Sequence, residues 1–234
     1  MMISNRVIGG VAVALLLFGA WVYLVRPDHK YRLTINVETP FGVKSGSGVV
    51  SVHLSKDPPL LPHIGSIGAK GDAIFVNLGE GRNLFMIMAA GKKGENVDAI
   101  AYLAEKVLAA TGHKVSFQDV YKFAGRTLPV GSDHIPTLVS FVDLKDVATA
   151  RVVRPDDLQS VFGAGYRLSE VTLTVVSVGL WPFDWGGVLG EPVTRGIENK
   201  IPEIIARLRE RSQVMQIHRP NDPYIAELGQ FIRG

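Results

Sequence analysis

Residues 7–25 form one unbroken uncharged run, Val-Ile-Gly-Gly-Val-Ala-Val-Ala-Leu-Leu-Leu-Phe-Gly-Ala-Trp-Val-Tyr-Leu-Val, with Arg6 before it and Arg26 after it. As a helix it rises about 28 Å, close to the roughly 30 Å hydrocarbon core of a bilayer. Trp21 and Tyr23 stand near the second boundary, where amphipathic rings favour the interface. The run predicts a transmembrane anchor over residues 1–26 that spans about 7–25, with Arg6, Trp21, Tyr23 and Arg26 at the membrane interfaces. Cleavage of a signal peptide wants small residues at −3 and −1; Phe18 precedes Ala20 in the plausible window, so the segment reads as an uncleaved signal-anchor.

After Pro27 the period changes. Tyr31, Leu33, Ile35 and Val37 alternate with Arg32, Thr34, Asn36 and Glu38, which predicts a half-buried strand. Thr39-Pro40-Phe41-Gly42 reads as a turn, and Val50, Val52 and Leu54 alternate with Ser51 and His53 in a second arm. Within that arm, Lys44-Ser45-Gly46-Ser47-Gly48 offers little to pack and suggests a bulge. Asp57–Gly71 is rich in proline and glycine and predicts a loop. A second hairpin is expected over Ala73–Leu78 and Leu84–Ala89, apolar on both faces and therefore central in a sheet.

Val97, Ile100, Ala101, Ala104, Val107 and Leu108 share one helical stripe, with Asn96 as cap and Gly112 as stop. Ser116 and Asp119 have near-capping-box spacing for a second short helix ending at Gly125. Strands are expected at Thr137–Asp143, Arg151–Arg154 and about 166–178, with a short helix opened by Pro155-Asp156-Asp157-Leu158. C-terminal helices start at about 194: one around Ile197, Ile201, Ile204, Ile205 and Leu208, broken or kinked at Pro202, and a last one near Asp222-Pro223. Strands and helices come in blocks, so residues 27–234 read as one globular α+β domain with a mostly antiparallel sheet packed with several helices.

Charge changes the picture little. There are 25 Lys+Arg against 22 Asp+Glu, and setting Arg6 and Arg26 aside leaves 23 against 22. A nearly neutral domain lacks the footprint of a nucleic-acid binder. Cysteine is absent, which excludes disulfides, thiol nucleophiles and thiolate metal sites. Gly163-Ala164-Gly165 lacks the third glycine of a dinucleotide loop, and Gly91-Lys92-Lys93-Gly94 lacks the Ser/Thr and upstream glycine of a P-loop. Ser45-Gly46-Ser47-Gly48 misses the nucleophile-elbow pattern. The histidines show no H-E-x-x-H or H-x-H spacing, so no cofactor or metal is assigned. One local anomaly remains: Trp181, Phe183 and Trp185 in a Pro/Gly-rich stretch, either a satellite core or an exposed patch for a partner or the membrane interface.

Three stretches together resemble a known family. They are Val37-Glu38-Thr39-Pro40-Phe41-Gly42-Val43-Lys44-Ser45-Gly46-Ser47; Pro136–Leu173, especially Arg154-Pro155-Asp156-Asp157-Leu158 and Phe162-Gly163-Ala164-Gly165-Tyr166-Arg167-Leu168; and Glu191-Pro192-Val193-Thr194-Arg195-Gly196-Ile197-Glu198. The family is one of proteobacterial single-pass membrane-anchored proteins of unknown function. The resemblance implies a bacterial envelope setting and carries over no catalytic residue.

The sequence therefore predicts a membrane-tethered, non-catalytic binding or structural module. Its partners are the lipid bilayer and an envelope protein. A short tail with one arginine is expected to stay inside while the domain crosses, although Arg26, Lys30 and Arg32 count the other way. The expectation is the cytoplasmic membrane of a bacterium with a periplasmic domain. The alternative is a membrane-anchored hydrolase or small-ligand binder whose site assembles from His53, His63, Asp133 and His134.

Overall fold

The computed structural model describes residues 5–54, 66–179, 190–215 and 228–233. The apolar run folds as α1 (Asn5–Val25), none of whose described side chains belongs to either hydrophobic core. Its side chains are described at residues 10–20, all of them exposed, and at Val22, which is partly buried. Among the described residues no helix is long and apolar enough to cross a membrane. Residues 5–25 of the expected anchor are helical, and that they are helical does not make them a membrane span.

β1 (His29–Thr39) and β2 (Gly42–Leu54) pair in continuous antiparallel register, from His29 opposite Val52 to Thr39 opposite Gly42. The bulge expected at Lys44–Gly48 is absent. A Cβ on Gly46 would lie 2.7 Å from the Phe75 carbonyl oxygen, and one on Gly48 would lie 2.8 Å from an Ile74 side-chain carbon. These glycines let a second sheet approach β2, which is why the arm has little to pack. β3 (Ile67–Asp72) lies inside the expected Pro/Gly loop. It pairs with β2 from Leu54–Ile67 to Ser51–Lys70, so tertiary pairing overrides a composition unfavourable to strands.

Ala73 alone separates β3 from β4 (Ile74–Gly79), and there the chain crosses from one sheet to the other. β4 and β5 (Arg82–Met86) form the second hairpin. It is not central to a single sheet. The four-stranded sheet runs β4-β5-β7-β8, with β7 (Leu138–Phe141) and β8 (Ala150–Val153), so β4 is an edge. Both faces of the hairpin are apolar because each packs on a different core. Leu84 and Met86 enter one, Phe85 and Ile87 the other.

The six-stranded sheet runs β10-β3-β2-β1-β9-β6, with β6 (Thr127–Pro129), β9 (Arg167–Val176) and β10 (Ile232–Arg233). Every recorded strand pairing is antiparallel. The inward positions Tyr31, Leu33, Ile35 and Val37 of β1 and Val171, Leu173 and Val175 of β9 are buried. They share the first core with β4, β5 and α2 (Leu103–Ala110). As expected, Asn96 caps the 3₁₀ turn at Asp98–Ile100 that precedes α2, accepting from the Ala99 N–H at 3.0 Å. The second expected helix is 3₁₀, Phe117–Phe123, and its Ser116 bonds the Asp119 carboxylate instead of capping the backbone.

A short helix, α3 (Gln159–Phe162), precedes Gly163 at φ +100°. The second core lies on the other face of the four-stranded sheet, against Ile197, Ile201, Ile204, Ile205 and Leu208. The helix expected from 194 begins as a 3₁₀ turn at Ile197–Asn199, and Pro202 opens α4 (Pro202–Met215) at its first position, where a missing N–H costs nothing. Finally, α5 (Leu228–Phe231) runs into β10, which the sequence reading continued as helix.

Candidate functional site

The end of the six-stranded sheet that carries α1 gathers more unusual chemistry than any other described part of the chain. Only Arg26, Pro27 and Asp28 separate α1 from β1. Asp28 locks the junction: its N–H donates to Val52 O at 2.8 Å, and its Oδ2 accepts from Leu54 N–H at 2.6 Å. Because β9 runs antiparallel to β1, Val176 is opposite Lys30 and the strand ends at this same place.

His29 is 1% exposed, and neither ring nitrogen has a hydrogen-bond partner among the described residues. Its ring packs edge-on against Phe117 at 4.9 Å and stacks beside Tyr31 at 6.4 Å. Desolvation, with repulsion from His53, lowers its pKa to about 4, so it is neutral across the physiological range. His53 itself lies within hydrogen-bond distance of Ser51 Oγ, 3.1 Å from Nε2. On the opposite face of β1, Lys30 is fully buried and donates from Nζ to Glu191 O at 3.0 Å, while Arg32 pairs with the Glu191 carboxylate.

A cavity of about 380 Å³ opens at this junction. Arg26, Pro27, Asp28, Tyr121, Ala124, Ser177 and Val178 line it. Among the described residues the Arg26 guanidinium has no hydrogen-bond or ion-pair partner, although Asp28 lines the same cavity. Ser177 Oγ accepts from the Gly179 N–H at 3.1 Å, which leaves the hydroxyl proton available.

Trp181, Phe183 and Trp185 lie outside the described residues, but both flanks of their segment are placed. Val176 leaves from beside Lys30, and Glu191 returns to Lys30 and Arg32. The flanks of residues 55–65 are at the same end, since Leu54 pairs with Ile67 beside Asp28. Of the expected interface residues, Arg26 is described and lines the cavity; the side chains of Arg6, Trp21 and Tyr23 lie outside the description.

Of the alternative cluster, His53 does not meet Asp133 and His134. His53 is level with Asp28 on β2, whereas Asp133 and His134 follow Val130, which bonds Val171 near the level of Ile35 on the far side of β9. Strand rise and spacing put these groups roughly 20 Å apart or more. His63 lies outside the described residues. No group of three or more metal-ligating side chains occurs among the described residues. The acidic pair Asp156/Asp157 has a local explanation as well: Arg154 hydrogen-bonds Asp156 and holds its carboxyl below the usual range.

Sequence reasoning missed the cavity. Arg26-Pro27-Asp28 directly after the apolar run was its one legible signal, since Tyr121 and Ser177 are far away in the chain. Compared with family models, curated proteins and solved structures, the chain matches none.

Proposed function

We propose that this is a single-pass protein of the bacterial cytoplasmic membrane. In this reading α1 crosses the bilayer, and the α+β domain on the outer face is a non-catalytic module that binds an envelope protein or the membrane surface. One observation carries the reading: residues 10–20 of α1 are apolar and exposed on every face, with Leu16 73% exposed. A helix apolar all round belongs in a nonaqueous surround. Moving Val11, Val13, Leu15, Leu16, Leu17 and Phe18 out of water is worth roughly 10 kcal/mol or more. As 21 residues of helix, α1 rises about 31 Å, a figure close to the hydrocarbon core of about 30 Å.

A cysteine-free chain suits an oxidising compartment, which favours the outer face. The resemblance to the proteobacterial family supports the envelope setting. The full chain is expected to stay in the membrane pellet through alkaline carbonate, and a chain lacking residues 1–26 to leave it. Release of the full chain would overturn the proposal. Alkaline phosphatase fused after Gly234 should be active; inactivity would move the domain to the inner face. Cross-linking in intact cells that recovers neither a specific envelope protein nor lipid would remove the binding role.

A further inference from the structure

We propose that the junction cavity binds the phosphoethanolamine headgroup of a bilayer lipid, a reading that rests on α1 crossing the membrane. The position is right for it. Arg26 is the first residue after α1, so a spanning α1 sets the cavity mouth at the depth of the lipid phosphates. The size is right too: about 380 Å³ falls within the roughly 300–1,000 Å³ of small-ligand sites.

The lining carries one cation and one anion, Arg26 and Asp28. The Arg26 guanidinium, without a partner among the described residues, presents a planar fork of donors suited to a phosphodiester monoanion. Ser177 has a hydroxyl proton to add, because its oxygen already accepts from Gly179. The Tyr121 hydroxyl, without a partner among the described residues, is a further donor on the cavity wall. The anion is Asp28. Its Oδ2 is committed to Leu54, and Oδ1 has no partner among the described residues.

A cation and an anion that line one cavity without pairing match a ligand that carries both charges. An ethanolamine ammonium donates hydrogen bonds to a carboxylate; a choline trimethylammonium has no N–H to donate. Pro27, Ala124 and Val178 supply apolar wall for the glycerol end of the lipid. A simple electrostatic attraction of Arg26 for any phosphate would not discriminate ethanolamine from choline lipid, with or without Asp28, and that difference can be measured.

The test uses the full chain in detergent micelles, with phosphatidylethanolamine and phosphatidylcholine of identical short acyl chains in equal amounts. Bound lipid is read by native mass spectrometry. Ethanolamine lipid should be retained about tenfold over choline lipid, the scale of one charge-assisted hydrogen bond. Asp28→Asn keeps an oxygen for the Leu54 N–H and should bring the ratio close to one; Arg26→Gln should lower retention of both lipids. A wild-type ratio near one, or a ratio unchanged in Asp28→Asn, overturns the proposal. If Asp28→Asn melts early, Ser177→Ala decides, with reduced ethanolamine-lipid retention at unchanged melting temperature expected and unchanged retention overturning it. Binding of free glycerophosphoethanolamine without the lipid would reassign the ligand to a soluble phosphodiester and overturn the bilayer assignment. Carbonate extraction separates the two readings: a chain that stays in the membrane but does not discriminate overturns only the headgroup proposal.

Discussion

A histidine with two unpartnered ring nitrogens, buried at the start of β1, makes stability depend on acid. Unfolded, His29 titrates near its ordinary 6.5; folded, it titrates at about 4. The unfolded chain therefore takes up the proton first, and stability present above pH 6.5 is lost as pH falls toward 4. The full interval corresponds to about 3 kcal/mol, and the drop from pH 6.5 to 5 to about 2 kcal/mol. His29→Phe keeps a ring against Phe117 and removes the titration. Chemical unfolding in micelles at pH 7 and pH 5 should show a smaller acid loss in the variant, with stability at pH 7 equal or higher because an unsatisfied polar group is gone. Equal acid losses in both chains would refute the assignment. None of this was legible in the sequence, where His29 was one of six histidines without spacing. Burial and lost partners are properties of the packed site.

At the scale of elements, the hairpin and β9 followed directly from alternation, because a half-buried strand must repeat every second residue. Where that rule is weakest the reading failed: β3, with Gly68 and Gly71, is a strand only because β2 has an edge to pair with. The aromatic segment is another element-scale matter. Both its flanks are at the α1 end of the sheet; burial of Trp181, Phe183 and Trp185 in a bilayer would be worth a few kcal/mol at roughly 25 cal/mol per Å². In a Trp21→Phe chain reconstituted with brominated lipid, the remaining two tryptophans should be quenched by about half or more. Unquenched fluorescence, together with a large fall in melting temperature on replacing all three residues with Ser, would assign them to a core instead.

For the whole molecule, the C-terminal segment ties the two sheets together. Met88 N–H donates to Gln230 O at 2.6 Å, Ala73 N–H to Phe231 O at 2.8 Å, and Gln230 Nε2 to Gly94 O at 2.8 Å. The Phe231 ring is fully buried, with its centroid 5.9 Å from those of both Phe85 and Phe141. Phe231→Ala removes the centre of the second core, and its expected cost is about 3–5 kcal/mol. For a domain of this size that is a fall in melting temperature of roughly 10 °C. A change below about 2 °C would mean that the segment closes nothing.

The chain alone determined its class and its axis. The uncharged run between Arg6 and Arg26 was legible as a helix, and strict alternation from Tyr31 makes the next element a half-buried strand, because both follow from local sequence pattern. Tertiary structure alone decided that there are two sheets, that Ala73 carries the chain between them, and that Gly46 and Gly48 exist for close approach. It also decided that Asp133 and His134 stand far from His53, whereas Tyr121 and Ser177 share a cavity with Arg26 and Asp28. Such convergence depends on strand order and register, and these are set by contacts between residues distant in the chain, which no local pattern encodes.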